Sequence, residues 1–145
     1  MARSKGLSNI STLAYVTKVS RAIAPVVGDE FASTIAFAAY GKWSEKTIFR
    51  TVAANTYQEI AQVFGEFAPN SKVALTRYYP LAVALAAEFY KYWSKYPNGI
   101  PEDKLYDIAT LWNLDPKKKF PLDKAIQVVN ILNAAFERIR GEKGA

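Results

Sequence analysis

Leu122, Ile126, Val129, Leu132, Phe136 and Ile139 follow one another at steps of three and four residues. That period puts all six on one side of an α-helix, and it is the cleanest of several such stripes along the chain. The period-two alternation of a half-buried strand is missing. The single Asn-Gly pair, Asn98-Gly99, lies between Pro97 and Pro101, which marks a stiff connector between helices and not a hairpin turn. The chain is therefore expected to be all-α, a helical bundle with a basic N-terminal arm and helix. Its 145 residues suit a single compact body.

Six helices are predicted. The first runs from Ser8 or Asn9 to Ala24, with Ser8 as N-cap and Pro25 as the stop. The second covers Asp29 to Tyr40, its two leading acids matching the positive end of the helix dipole. The third follows a Ser44 cap and reaches about Gly65, with Ile48, Val52, Ile60, Val63 and Phe64 as its apolar stripe. The fourth runs from Asn70 or Ser71 to about Tyr96 and should kink near Tyr79, because Pro80 lies inside it. The fifth spans Glu102 to Trp112. The sixth carries the opening stripe and should stop at Gly141, leaving a loose tail. The pattern divides at 1–28, a basic arm and helix, and 29–145, the helical body.

The chain contains no histidine and no cysteine. This removes imidazole catalysis, thiolate nucleophiles, disulfides and the usual zinc sites. There is no Gly-rich phosphate loop and no Gly-x-Ser-x-Gly elbow. The densest acidic group, Glu102, Asp103 and Asp107, falls in the first turns of the fifth helix, where each acid stabilises the dipole by about 0.3–1 kcal/mol. Nothing here points to an enzyme, a cofactor or a metal. The longest strongly apolar run, Tyr78 to Ala87, is half the roughly 20 residues a spanning helix needs, and no targeting segment stands out.

The charge is more informative. The net charge is +6, and residues 1–28 hold Arg3, Lys5, Lys18 and Arg21 with no acid. On the first helix Ser11, Tyr15, Lys18 and Arg21 share a side away from Ile10, Leu13 and Ile23, giving a face of hydroxyls and cations. Lys42, Lys46 and Arg50 recur at steps of four and form a second basic line at the start of the third helix. Lys117, Lys118, Lys119 and Lys124 make a third basic group that reads as an exposed turn. Lys, Arg, Ser and Tyr hold phosphates without reading bases. The expected partner is thus a polyanion, a nucleic acid held by its phosphates without sequence preference and released by salt. The chain holds twenty aromatics, and seven of them, Tyr78, Tyr79, Phe89, Tyr90, Tyr92, Trp93 and Tyr96, surround the fourth helix and suggest that part of it is a subunit interface.

The start Met1-Ala2-Arg3-Ser4-Lys5, the amphipathic first helix, the aromatic helical body and the lack of cysteine together resemble the major coat proteins of filamentous and rod-shaped archaeal viruses, the rudivirus and lipothrixvirus kind. The resemblance is one of architecture and composition, not of a motif. It implies a capsid protein of the virion, assembled in the host cytoplasm. N-terminal helices would clasp double-stranded DNA held in A-form, and subunits paired with themselves or a paralogue would build a helical filament, with or without a membrane envelope. Arg3, Lys5, Lys18 and Arg21 map onto the basic part that faces phosphate. Lys42, Lys46 and Arg50 come from the spacing alone. The first helix departs from the family in being short and ending at Pro25. The alternatives are a cellular chromatin-like DNA-binding protein and a helical adaptor that binds no nucleic acid.

Overall fold

The structure, a computed structural model, describes residues 2–42, 45–66, 72–113 and 120–144, with side chains placed from 13 to 141 within those ranges. Six α-helices follow one another: α1 (Ala2–Val27), α2 (Asp29–Gly41), α3 (Lys46–Val63), α4 (Tyr79–Trp93), α5 (Glu102–Trp112) and α6 (Leu122–Gly144). A π-helical turn, Ala74–Tyr78, leads into α4. No strand occurs among the described residues, so the chain is an all-α bundle as its periodicity demands.

The bundle is organised around α4. Leu81, Ala82 and every residue from Ala84 to Phe89 are buried, a run too long for one amphipathic face. A helix apolar all round must be covered all round. Here α2, α3, α1 and α6 supply the cover. Ala82, Ala84, Ala86 and Ala87 carry almost no side chain, so neighbouring helices come close. Around them an aromatic network knits the outer helices together. Phe31 of α2 packs on Trp112 at 5.9 Å and on Phe120 at 6.0 Å, and Phe89 of α4 packs on Phe136 of α6 at 5.6 Å. The fourth-helix aromatics that suggested a subunit interface are accounted for within one chain. Tyr78 and Phe89 are buried, and Tyr79, Tyr90, Tyr92, Trp93 and Tyr96 are half-buried against the same core.

Several predicted boundaries move. Ser8 caps nothing, because α1 is already helical from Ala2. The arm read before it is therefore helix, since Gly6 costs a helix only about 1 kcal/mol. Nor does Pro25 stop α1, which continues to Val27. The missing proline N–H leaves the Arg21 carbonyl without its helical donor. In exchange Val26 and Val27 reach the core, and the Gly28 N–H bonds the Ala24 carbonyl at 2.8 Å. The chain turns at Gly28, whose φ of 92° is open to glycine and strained for other residues. Leu13, assigned to the packing side, is 59 % exposed. At the other end, Gly141 is carried inside α6, which runs to Gly144 and replaces the expected loose tail.

Pro80 acts as expected, in a specific form. It sits in the first turn of α4, where an absent N–H costs little. The wide π turn just before it relieves the clash that the ring would make with the preceding turn, and the Tyr79 N–H reaches back to the Ala74 carbonyl. The fifth helix appears as predicted, with Pro101 as its N-cap. The stripe of α6 divides into Val129, Leu132 and Phe136, which are buried, and Leu122, Ile126 and Ile139, which are partly so. The Ser44 cap, the Asn70 or Ser71 start and Lys117 to Lys119 lie outside the described residues. No described helix is long and apolar enough to cross a membrane.

The C-terminal ends of α4 and α6 are tied by a polar knot. Arg140 donates to the Tyr96 carbonyl at 2.8 Å and to both Glu137 oxygens, at 3.1 and 2.6 Å. Its guanidinium lies 4.1 Å from the Trp93 ring centroid, and the Trp93 indole N–H donates to Glu137 Oε2 at 2.8 Å. Replacing Arg140 with Met should cost about 1–2 kcal/mol in chemical denaturation. Lys at the same position keeps the charge but not the planar fork, and should recover less than half of that.

Candidate nucleic-acid interface

The predicted site residues fall into three places. Arg3, Lys5 and Ser11 belong to the backbone of α1, and their side chains lie outside the described set. Lys18 and Arg21 are exposed on the outer side of α1, opposite Val16, Val19 and Ile23, which enter the core. Their common face therefore exists as the spacing requires. Lys42, Lys46 and Arg50 do not lie along one helix, as had been expected. Lys42 is the C-cap of α2, and only Lys46 and Arg50 belong to α3. A four-residue step means a shared face only when one helix runs through it, and here a helix boundary intervenes.

Tyr15 departs from the Lys18 and Arg21 group. Its ring meets Tyr40 edge-on at a centroid distance of 4.8 Å, at the seam between α1 and α2. Burial pushes the Tyr40 hydroxyl above its usual value, and the neighbouring Tyr15 adds to the shift. Tyr15 and Tyr40 then join Lys46, Phe49, Arg50 and Tyr79 around a groove of about 300 Å³. The tertiary fold thus gathers one α1 residue with the two α3 cations and separates all three from Lys18 and Arg21. The site is two basic regions, one on the outer side of α1 and one in the groove.

Local acids modify the picture for Arg21. Asp29, the first residue of α2, lines the same surface hollow as Arg21, Ala24 and Pro25. The acid-free stretch of sequence is therefore not an acid-free surface. Even so, Lys18, Arg21, Lys42 and Arg50 take part in none of the described ion pairs. All three such pairs, Lys91–Glu88, Lys104–Asp107 and Arg140–Glu137, belong to α4, α5 and α6.

One basic residue was missed by sequence reasoning. Arg77, in the π turn, donates from Nε to the Ala22 carbonyl at 3.1 Å and so fastens α1 to the start of α4. The two residues are 55 positions apart, and no spacing rule connects them. Thr17, which sits among the α1 cations, turns its hydroxyl to the Leu13 carbonyl at 2.9 Å. Among the described residues no group of three or more acids could hold a metal ion.

Comparison with known proteins finds no matching family model, no matching curated protein and no matching solved structure.

Three tyrosines have displaced ionisation. Burial raises Tyr40, Tyr78 and Tyr92 above 10.0, aided by Tyr15, Glu66 and Glu88 respectively, and opposed by Arg77 at Tyr78 and Lys91 at Tyr92. A neutral phenol retained in the fold stabilises it fully below the unfolded value and progressively less as pH rises through the folded one. Stability should therefore fall above about pH 10. Tyrosinate absorbance should show Tyr40, Tyr78 and Tyr92 ionising late until the chain unfolds.

Proposed function

We propose that the chain is a structural coat protein that assembles into a helical filament and wraps double-stranded DNA through sequence-independent phosphate contacts, favouring A-form. The observation that carries this reading is α1 itself. Its 26 residues hold four cations and no acid, and the two whose side chains are described stand exposed and outside every described ion pair. Cations left unpaired in this way favour a polyanion over an internal structural role. Lys42, Lys46 and Arg50 extend the basic surface beyond α1.

The physics of the complex follows from those side chains. Lysine and arginine replace counterions at phosphate, so the gain repeats with each subunit and carries no base information. A convex helix set against the duplex also displaces water from the backbone. A drier duplex moves toward A-form, whose surface is read by shape and backbone contacts. No catalytic step, cofactor or metal enters this reading. The virion is the compartment it implies, with the same chain or a paralogue as neighbouring subunit.

One observation favours the chromatin-like alternative. The body buries α4 within a single chain, so the monomer has less need of a neighbour than its aromatic content suggests. Such a protein would bind DNA as separate monomers or dimers and would form no regular filament.

The direct test is charge reversal at Lys18 and Arg21, compared with reversal at Lys95 and Arg138, which are also exposed but lie just past the end of α4 and in the last third of α6. The variant K18E/R21E should lose roughly tenfold or more of its nuclease protection of duplex DNA. Its helical content should match the parent, since neither side chain touches the core. The variant K95E/R138E should protect as the parent does. Equal protection by all three proteins would remove α1 from the DNA interface.

A further inference from the structure

Two of the exposed apolar side chains lie near each other on α1 and α2. Leu13 is 59 % exposed and Phe37 is 53 % exposed. The Ser20–Ser33 hydroxyl contact of 3.1 Å fixes the level at which α1 and α2 run side by side. Leu13 precedes Ser20 by seven residues, and Phe37 follows Ser33 by four. In antiparallel helices rising 1.5 Å per residue, these offsets bring the two side chains within about 5 Å of each other along the axis, on the outer side of one seam. Lys42 stands exposed just beyond them. This hairpin, residues 2–42, carries Arg3, Lys5, Lys18, Arg21 and Lys42 against Asp29 and Glu30, a net charge of +3.

A second apolar pair lies on α5. Tyr106 and Leu111 are about half exposed, and they flank exposed Asp103 and Asp107. Glu102 is also exposed, and Lys104 is the only base on the helix, giving α5 a net charge of −2. Lys104 reaches Asp107 only at 3.9 Å, with both groups largely in solvent. Beside Tyr106 is a recess of about 130 Å³ lined by Glu102, Leu105, Ile126 and Asn130. Cavities of roughly 150 Å³ admit benzene, so this smaller one has room for an aliphatic side chain.

We propose that these two surfaces bind each other between copies of the chain. The Leu13–Phe37 edge of one copy seats against the α5 face of the next, with one apolar side chain entering the recess by Tyr106. The acids of α5 meet Lys42, which stands exposed beside that edge. Opposite charge and exposed apolar side chains on both patches select a second copy as the occupant. The two patches are different parts of the molecule, so the contact is heterologous. Each copy has one of each to offer, and the chain of contacts is open-ended. The inference deepens the filament reading by naming its subunit contact. It leaves the outward Lys18 and Arg21 available to DNA.

The test uses the full chain without DNA. In light scattering the parent should grow in mass continuously with concentration. The variant L13S/F37S loses the hairpin patch and the variant Y106S/L111S loses the α5 patch, all at exposed positions where the fold does not depend on them. Each variant alone should remain a monomer. An equal mixture should form a complex of twice the monomer mass and go no further, because one intact patch of each kind remains. A monomeric parent, variants that assemble as the parent does, or a mixture that stays monomeric would each overturn the proposal. Duplex binding by the same proteins separates the two readings. Open-ended assembly without DNA binding would leave the contact standing and remove the coat function, and DNA binding by a strictly monomeric parent would do the reverse.

Discussion

The burial of the central stretch of α4, Leu81 to Phe89, is the constraint on which the rest of the molecule depends. A helix with Leu81, Leu85 and Phe89 on some sides and Ala82, Ala84, Ala86 and Ala87 on others cannot lie on a surface. It forces four helices around itself and fixes which side of each faces inward. The polar sides of α1 and α3 are then outward by default. The basic character of the molecule is in this sense a consequence of its core: the cations lie on what remains after α4 has been covered. The same demand explains the π turn, because the chain must enter this crowded centre with Pro80 in its path.

Burial is not complete in its chemistry. Glu88 lies in the middle of α4 and is 4 % exposed. Lys91 pairs with its Oε2 at 2.8 Å, while Oε1 has no hydrogen-bond partner among the described residues. A buried carboxylate held from one side only weakens the core locally, since desolvation is costly and one neighbour repays only part of it. The charge also raises the Tyr92 hydroxyl, after burial, which is the larger cause. The outer helices are tied by more complete arrangements. The Arg140 fork with Glu137, Trp93 and the Tyr96 carbonyl satisfies every partner it draws together.

Much of this was legible in the sequence, for identifiable reasons. The α6 stripe and the α5 limits follow from periodicity and capping, which act over a few residues. The Pro80 irregularity follows from covalent geometry, though its form as a π turn depends on how α4 packs. Pro25 misled because a proline in the last turn costs one hydrogen bond, and burial of Val26 and Val27 offsets that loss. Gly28 was the better signal for the end of α1, being the residue able to take φ of 92° there. The basic face of α1 was readable at Lys18 and Arg21 because both lie on one helix. The Lys42, Lys46 and Arg50 line was not, because a step of four has no meaning across a helix boundary. The groove that unites Tyr15 with Lys46 and Arg50, and the Arg77–Ala22 tie, join residues distant in sequence and could emerge only from the fold.

The central claim is that exposed cations on α1 and a subunit contact act together along one duplex. Electron microscopy of the purified chain mixed with linear duplexes of several defined lengths tests it most directly. The account predicts uniform filaments whose contour length rises in proportion to the DNA supplied, with the duplex inside the protein wall. Separate particles along bare DNA, or filaments whose length ignores the DNA, would contradict it.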